Sequence, residues 1–185
     1  IARTLDVKCE EKVLDVCSAP GTKAMALAQF MNNRGTIDCL DIHEHRVQLI
    51  KKDAKRLHVD IIHAYCKDAT KILDLGLYDR VLCDVPCSGY GVLARKPDIK
   101  LRMKSEDMDS LIKIQREILA SAASHVKENG CLVYSTCTLN KKENEKQIEY
   151  FIKNHPGFAL EKEETLFPNE YSGGFFIAKL VRNTH

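Results

Sequence analysis

The chain has 185 residues, 44% of them hydrophobic and 29% charged, with a formal net charge of +2. That length suits one sizeable core and is short for two ordinary domains, and so small a charge does not by itself argue for nucleic acid. No run of about 18 apolar residues exists to cross a bilayer, and the opening "IARTLDVKCEEK" lacks the apolar centre of a signal peptide, so a soluble protein is expected. The first residue is Ile1, which suggests a piece of a larger protein or a processed chain.

Short runs rich in valine, leucine and isoleucine alternate with longer amphipathic stretches, the pattern of strands and helices around a largely parallel sheet. In chain order the strands expected are "KVLDV" (12–16), "GTIDCLD" (35–41), "DIIHAYC" (60–66), "DRVLCD" (79–84) and "CLVYS" (131–135). Helices are expected at about 22–32, 44–57 and 105–128. In the last, Leu111, Gln115, Ile118, Leu119, Ala122 and Val126 recur at helical spacing. Ser105 is a candidate cap there, with Glu106 and Asp107 favourably placed against the helix dipole. "NKKENEKQIEYFIKNH" reads as a further helix, Asn140 and Glu143 resembling a capping box and Ile148, Phe151 and Ile152 facing inward. Pro156 and Gly157 stop it. "GGFFIAKLV" (173–181) reads as a closing strand, for about seven strands in all.

Open α/β sheets bind ligands beyond the carboxyl ends of their strands, so the residues just after each strand carry the search for function. Strand one ends in "DVCSAPGTK", where Pro20 and Gly21 make a tight turn that lets backbone amides approach a ligand. It lacks both the Walker pattern and the three glycines of the dinucleotide fingerprint, and taken alone it fits a purely structural turn equally well. Strand two ends at Asp41, where a carboxylate can accept from both ribose hydroxyls, and "KDAT" puts Asp68 on the same rim. Each acid alone is better read as a cap or a solvated loop residue. Together with the glycine turn they describe a site for an adenosine-containing ligand without a pyrophosphate grip, and S-adenosylmethionine fits better than NAD.

The eight cysteines lack a Cys-x-x-Cys pair, which argues against zinc. Several sit in apolar runs of a chain that needs no disulfide staples, so a reducing, cytoplasmic setting is expected. Cys39, Cys66, Cys83 and Cys131 read as small core hydrophobes, and Cys9 with them, while Cys17 fits either role. Cys87 and Cys137 do not fit that account. Each follows a strand among Ser, Thr, Gly and Asp, in "DVPCSGYG" and "STCT", where exposure and backbone amides favour a thiolate. Methyltransferases acting on exocyclic amines usually carry an Asp/Asn-Pro-Pro-aromatic sequence after strand four. A cysteine there points instead to chemistry on a ring carbon.

With these motifs in place the chain resembles the Sun/RsmB family (also Fmu or NSUN) of RNA cytosine-5 methyltransferases, most closely its bacterial 16S ribosomal RNA members. The resemblance is carried by "DVCSAPGTK", "DVPCSGYGVLARKPDIK", "YSTCTLNKKENE" and "GGFFIAKL", in this order along almost the whole chain. Ser18, Thr22 and Val85 are mild departures from the family pattern. The resemblance implies a Rossmann-like class I methyltransferase: an α/β fold with a seven-stranded, mostly parallel sheet and helices on both faces. Residues 1–185 would be a single catalytic domain, lacking an upstream RNA-recognition region. It further implies S-adenosylmethionine as cofactor, Cys137 as nucleophile, Cys87 as the group assisting product release, Asp84 on the cytosine and Lys23 near methyl donor and base. Asp41 would bind the ribose and Asp68 the adenine. Asp15, Cys17, Ala19, Pro20, Gly21 and Arg46 complete the expected cofactor site, with Lys23 and Asp84 also beside it.

"RKPDIKLRMK" (95–104) sets five basic residues against one acid. Beside a base-modifying site, Arg95, Lys96, Lys100, Arg102 and Lys104 are candidates for phosphate contact. RNA is favoured over DNA by the resemblance alone. Two other readings compete: an amine methyltransferase or nicotinamide oxidoreductase sharing the sheet, and a catalytically silent RNA-binding module. The paired Pro-Cys and Thr-Cys sites argue against the first, and intact Cys87, Cys137 and Asp84 against the second.

Overall fold

The computed structural model describes residues 1–71, 74–92 and 105–184, without the side chains of residues 105 and 106. Its elements are α1 (Ala2–Leu5), β1 (Lys12–Asp15), α2 (Thr22–Phe30), β2 (Thr36–Asp41), α3 (Glu44–Arg56), β3 (Ile62–Cys66), β4 (Tyr78–Asp84), α4 (Ser105–Ala123), β5 (Val126–Thr136), α5 (Glu145–Asn154), β6 (Phe158–Leu166) and β7 (Phe175–Arg182). The seven strands form one sheet in the order β3-β2-β1-β4-β5-β7-β6. Strands β1 to β5 pair in parallel, and β7 joins β5 and β6 antiparallel.

Strand alternation sends neighbouring side chains to opposite faces, and both faces are covered. Leu14, Val81, Cys83, Leu132 and Tyr134 enter one buried cluster with Ile118, Leu119 and Ala122 of α4 and Ile148 and Phe151 of α5. Val13, Leu82, Cys131 and Val133, their chain neighbours, enter the other with residues of α1, α2 and α3. This double covering explains why the central strands read as continuous apolar runs.

Four local expectations need correction. The helix expected to reach residue 128 ends at Ala123. Ser124 turns back on Ser121 through both its amide and its hydroxyl, and Val126 is already a strand residue paired with Tyr78. Val126 is buried in the same cluster as α4, so its apolar character extended the helical pattern by coincidence. β6 had no sequence signal because it is an edge strand with only Phe158 buried. Cys66 is exposed at the end of edge strand β3, and Cys9 is only half-buried and outside both core clusters, so neither is a core residue. Asn140 and Glu143 form no capping box, since α5 begins at Glu145. The Ser105 side chain expected to cap α4 lies outside the described residues.

Candidate active site

β1, β4 and β5 are adjacent, with Leu14 beside Val81, Val81 beside Leu132 and Asp84 beside Ser135. Their carboxyl ends therefore bring the glycine turn, the Pro-Cys loop and the Thr-Cys loop to one rim. At its centre Cys87 Sγ and Cys137 Sγ are 3.0 Å apart, and the Cys137 amide donates to Cys87 Sγ at 3.1 Å. The thiol of Cys87, donating to its neighbour, holds the Cys137 thiol below the ordinary cysteine range. Burial and the Asp84 charge oppose this, and Lys23 adds to it. The partnership with Cys137, followed by burial, pushes Cys87 up. The hydrogen bond between the two sulfur atoms thus favours the thiolate on Cys137 over one on Cys87.

Beside the thiols, Lys23 Nζ lies 2.5 Å from Asp84 Oδ2, and the Ser135 hydroxyl donates to Asp84 Oδ1 at 2.6 Å. Burial works against the Lys23 charge, but Asp84 more than offsets it and the ammonium is held above its usual range. One charged pair thus faces the sulfur atoms, built from the first helical turn of α2 and the end of β4.

Ala19–Pro20 is a cis peptide bond, and Gly21 has φ 104° at the N-terminus of α2. That backbone conformation excludes most side chains, and a Cβ there would come within 3.3 Å of Ile50. Behind the turn Asp15 is 1% exposed, and both its carboxylate oxygens lack a hydrogen-bond partner. Burial pushes its pKa up to about 7. Cys17 packs against the core beside it, and burial raises its thiol well above the ordinary range.

Asp41 is buried at the end of β2. Its Oδ1 accepts from the His43 amide at 3.0 Å and its Oδ2 pairs with Arg46 at 3.4 Å. The same Arg46 guanidinium donates to the Ala19 carbonyl at 2.9 Å, so it ties the acid of β2 to the glycine turn. The Lys67 amide donates to the Asp41 carbonyl, which brings Asp68 to the neighbouring strand end. Asp68 turns back on its own loop, accepting from the Thr70 amide and hydroxyl, and these bonds hold it below the usual carboxylate range. The unsatisfied Asp15 carboxylate and the side-chain-free turn at Gly21 fit a cofactor that brings hydrogen-bond donors or positive charge to this rim. Among the described residues no cluster of His, Cys, Asp and Glu could hold a metal ion, and no helix is long and apolar enough to cross a membrane. The basic residues Arg95, Lys96, Lys100, Arg102 and Lys104 lie outside the described residues.

Sequence reasoning missed the polar support under this rim. Glu143, Ser88 and Gln115 are buried, and Ser88 and Gln115 both donate to Glu143. The available signal was a glutamine, Gln115, on an otherwise apolar helix face.

The seven-stranded sheet, with acids and a glycine turn at successive strand ends, defines a Rossmann-like methyltransferase domain. The chain belongs to the 16S rRNA methyltransferase RsmB/F family, whose model matches residues 2–181. It is 48% identical over 169 residues to the probable ribosomal RNA small subunit methyltransferase B of Bacillus subtilis, covering 88% of this chain and 38% of that protein. It is 32% identical over 193 residues to a tRNA (cytosine(72)-C(5))-methyltransferase of Pyrococcus horikoshii, covering 97% of this chain and 49% of that one. The crystal structure of NSun6 from the same organism with SFG superposes with a TM-score of 0.90 at 30% identity, over 100% of this chain and 51% of that one. The chain thus spans between about two fifths and one half of the length of these relatives.

Proposed function

We propose that this chain is the catalytic domain of an S-adenosylmethionine-dependent enzyme that methylates carbon 5 of a cytosine in RNA, by way of a covalent Cys137 adduct. The observation carrying this reading is the pair of sulfur atoms 3.0 Å apart beside the Lys23–Asp84 pair. Asp15, Cys17, Ala19, Pro20, Gly21, Lys23, Asp41, Arg46, Asp68 and Asp84 would hold the cofactor, which when bound supplies an electrophilic methyl group.

Carbon 5 of cytosine is a poor nucleophile. Addition of the Cys137 thiolate to carbon 6 pushes electron density onto carbon 5 and makes it reactive toward that methyl group. A protonated Asp84 would donate to ring nitrogen 3 of the cytosine as the thiolate adds, with Lys23 and Ser135 orienting its carboxyl group. After methylation the proton on carbon 5 must leave before the Cys137 thiol can be expelled. Cys87, beside the adduct, supports that elimination directly or through water. A base within folded RNA must be splayed or flipped to reach half-buried thiols. Arg95, Lys96, Lys100, Arg102 and Lys104 would hold the flanking phosphates. The family description and the small-subunit name of the Bacillus relative favour 16S ribosomal RNA as target, and an RNA target with eight free cysteines favours the cytoplasm.

The test is methyl transfer from labelled cofactor to ribosomal RNA and to tRNA, followed by nucleoside analysis. Ring-methylated cytidine from ribosomal RNA, absent with Cys137→Ala, is expected. Amino-methylated cytidine would overturn the ring-carbon reading, and product from tRNA alone would overturn the ribosomal one.

A further inference from the structure

The two thiols sit on separate loops, and the bonds between those loops converge on one carboxylate that plays no part in the steps above. Glu143 is 0% exposed. Its Oε2 accepts from the Ser88 amide at 2.8 Å and from Gln115 Nε2 at 3.0 Å, and its Oε1 from the Ser88 hydroxyl at 2.6 Å and Asn140 Nδ2 at 3.0 Å. Two donors on each oxygen use up the acceptor capacity of a carboxylate, and every bond to these oxygens among the described residues comes from a donor.

These partners are placed around the sulfur atoms. Ser88 follows Cys87, and Asn140 lies three residues after Cys137. Gln115, on α4, also donates to the carbonyl of Pro86, the residue before Cys87. The Ser88 hydroxyl gives its proton to Glu143, so the Thr138 hydroxyl, 2.8 Å away, donates to Ser88 in turn. The residues that follow the two cysteines are thereby joined directly. From below, Tyr134 donates to the Glu143 carbonyl at 2.7 Å, and Asn144 accepts from Thr136 and donates to the Thr138 carbonyl. A buried charge is costly without such compensation, and the bonds that compensate it are the ones that fix the two loops.

We propose that Glu143 is a positioning residue for the reaction, setting the separation and shared proton of Cys87 and Cys137 through Ser88, Asn140 and Gln115. The inference rests on the two-thiol reading of the site, but it is testable without RNA. A carboxamide at position 143 has the same shape but puts an NH2 donor where one oxygen accepted, so in Glu143→Gln that donor opposes either the Ser88 amide and Gln115 or the Ser88 hydroxyl and Asn140. The loops then separate and Cys137 loses its thiol partner.

The experiment is alkylation of this chain with iodoacetamide across pH, read at each cysteine by peptide mass spectrometry, with cofactor binding and circular dichroism measured on the same samples. In Glu143→Gln we expect Cys137 to react roughly tenfold or more slowly near neutral pH, the loss of one hydrogen bond to a charged group. Its pH profile should move toward that of an ordinary cysteine, while Cys9 and Cys66 react as before and cofactor affinity stays within about twofold. A folded Glu143→Gln with an unchanged Cys137 profile would overturn the proposal, whatever its melting temperature. If Glu143→Gln does not fold, Ser88→Ala carries the same test. It keeps the Ser88 amide bond to Glu143 and removes the hydroxyl's links to Glu143 and Thr138, so a smaller shift in the same direction supports the proposal and an unchanged profile overturns it. Failure of methyl transfer in the wild type would count against the proposed function and leave this test intact.

Discussion

Cys87→Ala removes two contributions at once, and they can be read separately. The first is the thiol 3.0 Å from Cys137, the largest influence holding Cys137 below its ordinary range. A hydrogen bond to a charged group contributes about 1.5–3 kcal/mol, and about 1.4 kcal/mol is tenfold in an acid equilibrium. Because sulfur is a weak donor, the lower end applies. Cys137 should then hold roughly tenfold less thiolate at neutral pH and alkylate about tenfold more slowly. The second contribution is the group that assists loss of the carbon 5 proton. Addition in Cys87→Ala is slowed while elimination loses its assistance, so adduct builds up despite its slower formation. With labelled cofactor and RNA, a protein–RNA band should survive denaturing electrophoresis in Cys87→Ala, and neither band nor methylated product should form in Cys137→Ala. The reverse pattern, adduct in Cys137→Ala and none in Cys87→Ala, would show that the Pro-Cys thiol is the nucleophile and that the roles are exchanged.

Four further outcomes are expected. Asp15 holds its proton up to about pH 7 in the folded chain against 3.8 unperturbed, so the folded state binds more protons in that window. Stability should therefore fall as pH rises from about 4 to about 7, by on the order of 4 kcal/mol; denaturant unfolding of Asp15→Asn should lack this slope, and an unchanged slope would refute the assignment. Asp41→Ala frees Arg46 from the β2 end, and calorimetric titration should show lost S-adenosylmethionine binding, with unaltered affinity counting against the ribose role. In Gly91→Ala the new Cβ would collide with the carbonyl oxygens of Gly174 and Cys137; a loss of about 1–3 kcal/mol is expected, and a wild-type melting curve would refute it. Neutralising Lys96, Lys100 and Arg102 together should flatten the salt dependence of RNA binding, and an unchanged slope would make that loop an ordinary solvated surface.

What was legible in the sequence follows from where each physical constraint acts. Strands β1, β2 and β4 are covered on both faces, so consecutive buried residues such as Val13–Leu14, Cys39–Leu40 and Val81–Leu82–Cys83 appear in their sequences, and their bounds were read to within a residue or so. β6 is an edge strand whose Glu161, Lys162, Glu163 and Glu164 lie in water or at its border, and nothing forced a period of two upon it. The candidate site residues at strand ends stood out because a cysteine or an acid after an apolar run departs from what the core requires there.

Glu143 was hidden for the opposite reason. Its neighbours Asn140, Lys141, Lys142 and Glu145 make a polar segment just before a helix, where a carboxylate is expected to face water and cap. Only the fold reveals that the chain passes beneath Ser88, some fifty residues away in sequence, and that the helix waits until Glu145. Local pattern reports which residues avoid water. It does not report which distant donors will meet a carboxylate, and the bonds that fix the spacing of Cys87 and Cys137 are of that second kind. Two short motifs therefore suffice to propose the chemistry of the site, whereas the bonds between its two loops meet at a residue whose local context assigned it an ordinary role.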